Sequence, residues 1–253
     1  MTTGALIFAY NNEHIDYLKM AQWSANNIQR HLGIPTTIIT DKNPTQSTNS
    51  RWFADLNTTV TWHNENRSDA YDLSPYDRTL LIDADYVVAS NQLKSLLEAD
   101  QEFLTPRWAY DVTGLQPFDD NNYFGRNQMP MHWATVIMFR RSQKVRLIFD
   151  LIKMIRDNWQ HYRNLYGITR STFRNDFALS IAMSIVDGHT FTIPSIPWSL
   201  ASVTPDHKLT QLDKDKYRVE FLTTDKKPRW ITLNHDFHAM GKKHLGAIVD
   251  NPC

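Results

Sequence analysis

A chain of 253 residues with 42% hydrophobic and 21% charged residues is long enough and apolar enough to bury a full core, which excludes intrinsic disorder. Lys plus Arg and Asp plus Glu balance at 27 each, so net charge by itself names no polyanionic or polycationic partner. The only cysteine is Cys253, and no apolar run approaches about 18 residues, which excludes a disulfide-built domain and a membrane-spanning helix.

The opening apolar run reaches only from Ala5 to Ala9 and has no basic region before it, so no signal peptide is expected. With no intrachain disulfide, the expected setting is reducing and cytoplasmic. Gly4 to Tyr10 predicts a first strand that opens into Asn11-Asn12, a turn able to cap a helix. Ile15, Leu18, Ala21, Ala25, Ile28 and Leu32 follow at spacings of three and four, which predicts an amphipathic helix closed by Gly33. Ile34 to Asp41 predicts a second strand, so the chain starts as an α/β domain with parallel strands. A loop is expected over Lys42–Ser50, a third strand over Thr58–His63, and a short helix or loop over Ser68–Tyr76.

Leu80 to Val88 then reads as one buried strand carrying Asp83 and Asp85. Period-two geometry puts both carboxylates on the same side of it. Two like charges that close repel unless a cation neutralises them, and a hard divalent ion such as Mg²⁺ or Mn²⁺ does so through oxygen ligands.

Downstream, Asn91–Ala99 predicts a short helix and Glu102–Thr105 a strand, whereas Trp108–Pro130 reads as a long loop. His132–Phe139 is an apolar strand with a polar start. Arg141–Trp159 has the stripe of a well-buried helix, and Arg174–Val186 is a second core helix. Phe191–Trp198 is extended and broken by proline, Ala201–Asp225 has no clear period, Trp230–His235 reads as a last strand, and Asp236–Leu245 holds a cluster of His and Lys.

Charge is unevenly distributed. Arg140 to Arg174 holds nine Lys or Arg against two Asp, leaving 18 basic and 25 acidic residues elsewhere. Such a segment is either a solvated helix face or a surface for an anionic partner. The chain has neither GxGxxG nor GxxxxGK[ST], and only eight glycines, which argues against a dinucleotide dehydrogenase or a P-loop ATPase.

Ser74-Pro-Tyr-Asp-Arg-Thr-Leu-Leu-Ile-Asp-Ala-Asp-Tyr-Val-Val resembles the metal-binding segment of GT-A glycosyltransferases, closest to the glycogenin-like retaining group. The resemblance runs in order along most of the chain. It implies a single α/β GT-A domain over residues 1–253, with a Rossmann-like, mixed but mostly parallel sheet flanked by helices. Residues 1–90 would form the nucleotide-binding half and 91–253 the acceptor half. Ala9, Tyr10 and Asn11 stand where the family holds nucleobase and ribose, and Asp41 stands at a base-contacting position. Asp85 resembles the metal ligand, and Asp83 is shared between metal and ribose. His238-Ala-Met-Gly-Lys-Lys-His-Leu resembles the segment His-x-x-Gly-x-x-Lys-Pro-Trp, with His244 and Leu245 at the Lys and Pro positions. His235 or His238 would complete the metal site, and Lys242 or Lys243 would meet the diphosphate. Arg67 or Arg78 could serve likewise or be plain surface arginines. Asn175-Asp176 resembles the Asp-Gln pair that faces the anomeric carbon, although Phe177 follows.

The implied activity is Mn²⁺- or Mg²⁺-dependent transfer of a sugar from a nucleotide sugar, expected to be UDP-linked, to a hydroxyl acceptor with retention. The basic segment 140–174 makes an anionic acceptor conceivable, either a phosphorylated glycan or DNA carrying a hydroxylated base. Two other readings compete. The strand carrying Asp83 and Asp85 also fits a haloacid-dehalogenase-type phosphatase, in which the first carboxylate is a nucleophile and the second an acid/base. A nucleotide-sugar-binding protein without turnover is the third.

Overall fold

A computed structural model of the chain describes residues 1–40, 50–53, 65–116, 122–190 and 192–252, with the backbone alone for 50–53 and 65. β1 (Thr3–Phe8) begins it, with Gly4 to Ile7 fully buried. The following helix, α1 (Tyr17–Leu32), is capped by Asp16 rather than by Asn11 or Asn12; the Asp16 carboxylate accepts from the Lys19 amide at 3.0 Å. The two asparagines order the approach instead: Asn11 accepts from the Leu18 amide and Asn12 from those of His14 and Ile15. Gly33 closes the helix at φ +70°, donating its N–H to the Gln29 carbonyl.

β2 (Thr36–Ile39) runs parallel to β1, and β3 (Ser50–Phe53) runs parallel to β2. The strand expected at 58–63 lies outside the described residues, as does the loop expected over 42–50 apart from Ser50, which instead begins β3. A 3₁₀ turn (Glu65–Asp69) and the single turn of α2 (Ala70–Leu73) lead to β4 (Arg78–Ile82), buried throughout and parallel to β1.

The continuous strand expected over 80–88 does not form. β4 stops at Ile82, and Asp83 to Asp85 make a turn closed by the Tyr86 amide donating to the Asp83 carbonyl at 3.0 Å. β5 (Tyr86–Val87) then joins a second sheet. Asp83 and Asp85 therefore do not share a side of one strand. Continuing the ladder would carry two carboxylates into an apolar layer, which costs far more than a turn that releases them at the sheet edge.

After α3 (Lys94–Glu98) and β6 (Phe103–Leu104), the stretch expected as a long loop contributes β7 (Ala109–Asp111) and the hairpin β8 (Tyr123–Phe124)–β9 (Met129–Pro130). β10 (Val136–Arg140) is antiparallel to β4 and β6. The expected helix 141–159 is interrupted at Asn158, giving α4 (Gln143–Asp157), capped by Ser142, and α5 (Trp159–Leu165). α6 (Asn175–Val186) packs on α4.

Past β11 (Leu200–Val203), the stretch without a clear period holds β12 (Lys208–Asp213) and β13 (Lys216–Leu222), which form an antiparallel meander with β14 (Pro228–Leu233). The strand expected at 230–235 is β14. It is not the last one: β15 (Phe237–Ala239) and α7 (Lys242–Asp250) follow.

The main sheet has the order β3-β2-β1-β4-β10-β6, parallel through its first four strands and antiparallel at β10 and β6. It is the mixed, mostly parallel α/β sheet expected from the sequence. A second sheet has the order β5-β15-β11-β7. Because β5 directly follows the turn that ends β4, the Asp83–Asp85 turn is the junction between the two sheets.

Candidate functional site

The C-terminal ends of β1 and β4 open into a cleft of about 470 Å³, the place where parallel α/β sheets bind ligands. Asp83 and Asp85 lie in it, with Tyr10 from the end of β1, Tyr17 from α1, His238 from β15, Lys242 from α7, and Asn175 and Asp176 from the start of α6. Three separate hydrogen bonds fix the acidic turn. The Asp83 amide donates to the Thr135 carbonyl at 3.0 Å, the Tyr86 amide closes the turn, and the Ala239 amide donates to the Asp85 carbonyl at 2.9 Å.

Each carboxylate has its own cation. Arg67, buried in the 3₁₀ turn, donates to Asp83 Oδ1 at 2.5 Å and to the Ala134 carbonyl. Lys242 donates to Asp85 Oδ2, and His238 Nε2 lies 3.3 Å from the same oxygen. The two carboxylates respond oppositely. Desolvation raises the Asp83 carboxyl, with Arg67 opposing it and the Asp85 charge adding to the rise. Desolvation also acts on Asp85, but His238 and Lys242 together outweigh it and hold Asp85 well below the usual carboxylate range. Burial lowers Lys242, and Asp85 reverses that, so its ammonium is held above the usual value.

On the facing wall, Asp176 Oδ1 accepts from the Ala134 amide at 2.9 Å and Oδ2 from Arg174 at 2.5 Å. Ser180 locks the α6 start to the strand approach: its hydroxyl accepts from the His132 amide at 2.7 Å and donates to the Asp176 carbonyl at 2.6 Å.

Ligand atoms of Asp83, Asp85 and His238 all lie within 4.8 Å of one another. Two carboxylates and an imidazole fit a divalent cation such as Mn²⁺ or Mg²⁺, and the Lys242 ammonium already supplies positive charge against Asp85.

Of the sequence candidates, the cleft gathers Tyr10, Arg67, Asp83, Asp85, Asn175, Asp176, His238 and Lys242. Ala9 is buried and does not line the cleft, and the Asn11 side chain is engaged with Leu18 and Asp16. Lys243 points to solvent, and Arg78 is buried against the Ala99 carbonyl. His235 lines a different cavity. Asp41 lies outside the described residues. Phe8, Tyr17, Trp133, Arg170 and Met240 also line the cleft and were not singled out as donor-site residues from the sequence. Phe8 and Tyr17 fall within predicted elements, but nothing in their spacing separates them from core aromatics.

No family model and no curated relative matches the chain. Solved structures do resemble it. The glycosyltransferase GlyE of Streptococcus pneumoniae TIGR4 is 13% identical, with a TM-score of 0.46 over 78% of this chain and 45% of that one. The galactosyltransferase LgtC, solved with donor and acceptor sugar analogues, is 12% identical, with a TM-score of 0.45 over 70% of each chain. Bifunctional IspDF of Campylobacter jejuni is 15% identical, with a TM-score of 0.41 over 72% of this chain and 47% of that one. The chain therefore spans less than half the length of GlyE and of IspDF. Glycosyltransferases are among its structural neighbours. At these identities and TM-scores the likeness carries no argument about activity, which must come from the cleft. Among the described residues, no helix is long and apolar enough to cross a membrane.

Proposed function

We propose that the chain transfers a sugar from a nucleotide-sugar donor to a hydroxyl acceptor with the help of a divalent cation. The observation that carries this reading is the meeting of Asp83, Asp85 and His238 in one cleft with Lys242 and, across it, Asp176. The cation, Mn²⁺ or Mg²⁺, would be held by those three residues and would supply positive charge to the departing diphosphate. Lys242 is positioned to exchange Asp85 for a phosphate oxygen, adding a point charge beside the leaving group. Tyr10 and Phe8, at the end of β1, offer aromatic surface for a nucleobase, uracil by the resemblance set out above. Asp176, held by Ala134 and Arg174, either steadies positive charge at the anomeric centre or orients the acceptor, with retention of configuration.

The basic segment supports an anionic acceptor at one place in the cleft; Lys144 is exposed on α4 and does not line it. Arg140 and Arg141 are tied to backbone carbonyls, Arg146, Lys153 and Arg156 to Asp69, Asp72 or Asp157, Arg163 to Thr169, and Arg174 to Asp176. Arg170 lines the cleft, is exposed, and has no ion pair or hydrogen bond among the described residues. One such cation at the cleft fits a single phosphate or carboxylate on a glycan better than the extended track that DNA requires. A phosphatase reading is not favoured, since a nucleophilic Asp83 must be ionised and open to attack, whereas burial raises its pKa and Arg67 covers one oxygen.

The test is nucleoside diphosphate release from a panel of nucleotide sugars with Mn²⁺, with and without EDTA, on the wild type and Asp85→Asn. Release that needs both Mn²⁺ and Asp85 is expected. Release of inorganic phosphate from phosphomonoesters, with none from nucleotide sugars, would overturn the reading.

A further inference from the structure

A second cavity, of about 450 Å³, shares no lining residue with the Asp83–Asp85 cleft. It lies against the second sheet: Tyr86 comes from β5, Tyr110 from β7, Trp198 from the approach to β11, and His235 and Asp236 from the turn before β15, with Gln92 at its rim. A cavity this size admits one or two sugar-sized rings.

Its lining has three features that together select a ligand class. The first is aromatic surface left in contact with solvent. Tyr110 is 43% exposed on an edge strand, and Trp198 is half-buried beside it. The second is hydrogen-bonding capacity that the protein does not use. Asp236 is only 3% exposed; its Oδ1 accepts from the Ala89 amide and the Ser90 hydroxyl, but among the described residues its Oδ2 has no partner, and neither does His235 Nε2. Buried polar atoms without partners are costly, and these two are closed to solvent in residues that line the cavity, so a ligand hydroxyl would reach them with a small shift of the wall and supply the missing bonds. The third is charge. Among the described residues no Lys or Arg lines the cavity, and Asp236 is a carboxylate, so a phosphate or carboxylate ligand would be repelled.

Flat apolar faces beside carboxylate, imidazole and amide groups match a pyranose ring. Its C–H face stacks on an aromatic ring, while its hydroxyls both donate and accept. We propose that this cavity is a binding site for a neutral saccharide, separate from the reaction cleft. The proposal does not rest on the transferase reading, because it requires neither donor nor metal.

The test uses maltotriose, cellotriose and chitotriose as probes on the full chain in EDTA, read by saturation-transfer NMR and by tryptophan fluorescence titration. At least one is expected to bind with a millimolar Kd. Trp198→Ala and Tyr110→Ala should each weaken it about tenfold, whereas Trp198→Phe should hold it within about threefold. Asp85→Asn should leave it unchanged. Circular dichroism establishes that each variant is folded, and Gln92→Ala provides a variant outside the sheet that should also weaken binding. No binding by any of the three at tens of millimolar would overturn the proposal. So would binding that survives both alanine variants, or binding that Asp85→Asn abolishes.

Discussion

Lys242 and His238 converge on one oxygen of Asp85: the Lys242 ammonium donates to Oδ2, and His238 Nε2 sits 3.3 Å from the same atom. They arrive from different elements, α7 and β15, onto a turn some 150 residues earlier in the chain. Without a metal, His238 and Lys242 together compensate a buried carboxylate. Lys242→Gln should therefore destabilise the metal-free protein by about 2 kcal/mol, since removing one partner of a buried pair strands the other. Mn²⁺ should then raise the melting temperature of the variant more than that of the wild type, because it replaces a lost charge rather than displacing a present one. Thermal denaturation with and without Mn²⁺ checks this; equal shifts would count against a cation bound at Asp85.

Arg67 joins Asp83 to the Ala134 carbonyl through two arms of one guanidinium. A lysine has no such fork. Arg67→Lys should raise the Mn²⁺ concentration for half-maximal diphosphate release by about tenfold. Loosening the cation that opposes desolvation raises the Asp83 carboxyl further, so the acidic limb of the pH–rate profile should move to higher pH. An unmoved limb would show that the Asp83 carboxyl does not set the pH dependence of diphosphate release.

Asp236 gives a pH effect of known sign. Burial raises its carboxyl from 3.8 to about 6, against hydrogen bonds from Ser90 and Ala89 that lower it. Below about pH 4 the group is protonated folded or unfolded and has no effect. As pH rises from about 4 to 6 the unfolded chain ionises first, so the native state loses stability, and the loss then persists above pH 6. Asp236→Asn keeps an oxygen to accept from Ala89 and Ser90. It should be more stable than the wild type by about 1–3 kcal/mol near neutral pH and equal to it near pH 3.5. Urea unfolding at the two pH values decides it.

A Cβ on Gly4 would overlap the Tyr76 ring, which is buried and held by a 2.9 Å hydrogen bond between its hydroxyl and Thr37. Gly4→Ala should cost more than about 2 kcal/mol. Adding Tyr76→Leu should recover part of that loss, whereas Tyr76→Leu alone is destabilising. A double-mutant cycle in urea measures the coupling.

Arg170→Gln should leave the release of diphosphate to water within about twofold of wild type, yet raise KM for an acidic acceptor about tenfold more than for its neutral counterpart. Equal effects on the two acceptors would remove Arg170 from acceptor recognition.

The local patterns of the sequence were enough for the first strand, α1 with its Gly33 stop, the α4 and α6 stripes, and the apolar β4 and β10, because each is set by side-chain period and by residues within one or two turns. β7 and the β8–β9 hairpin were not legible. They are two or three residues long, and β7 exists by pairing with β11, about ninety residues away. A segment whose hydrogen bonds are met at that distance has no local signature.

The site divides in the same way. Asp83 and Asp85 stand out from the sequence because two carboxylates closing an apolar run demand compensation nearby. Which histidine joins them was not decidable, since His235 and His238 lie three residues apart in one polar stretch. The tertiary structure decides it through register: β15 pairs His238 with Tyr86 and bonds Ala239 to Asp85, which turns His238 toward the cleft and leaves His235 in the other cavity. The same holds for Arg67 and Arg170, which look like surface arginines in sequence. Burial and the positions of carbonyls and carboxylates from distant elements of the chain, which no local pattern records, make one a partner of Asp83 and leave the other without a partner among the described residues.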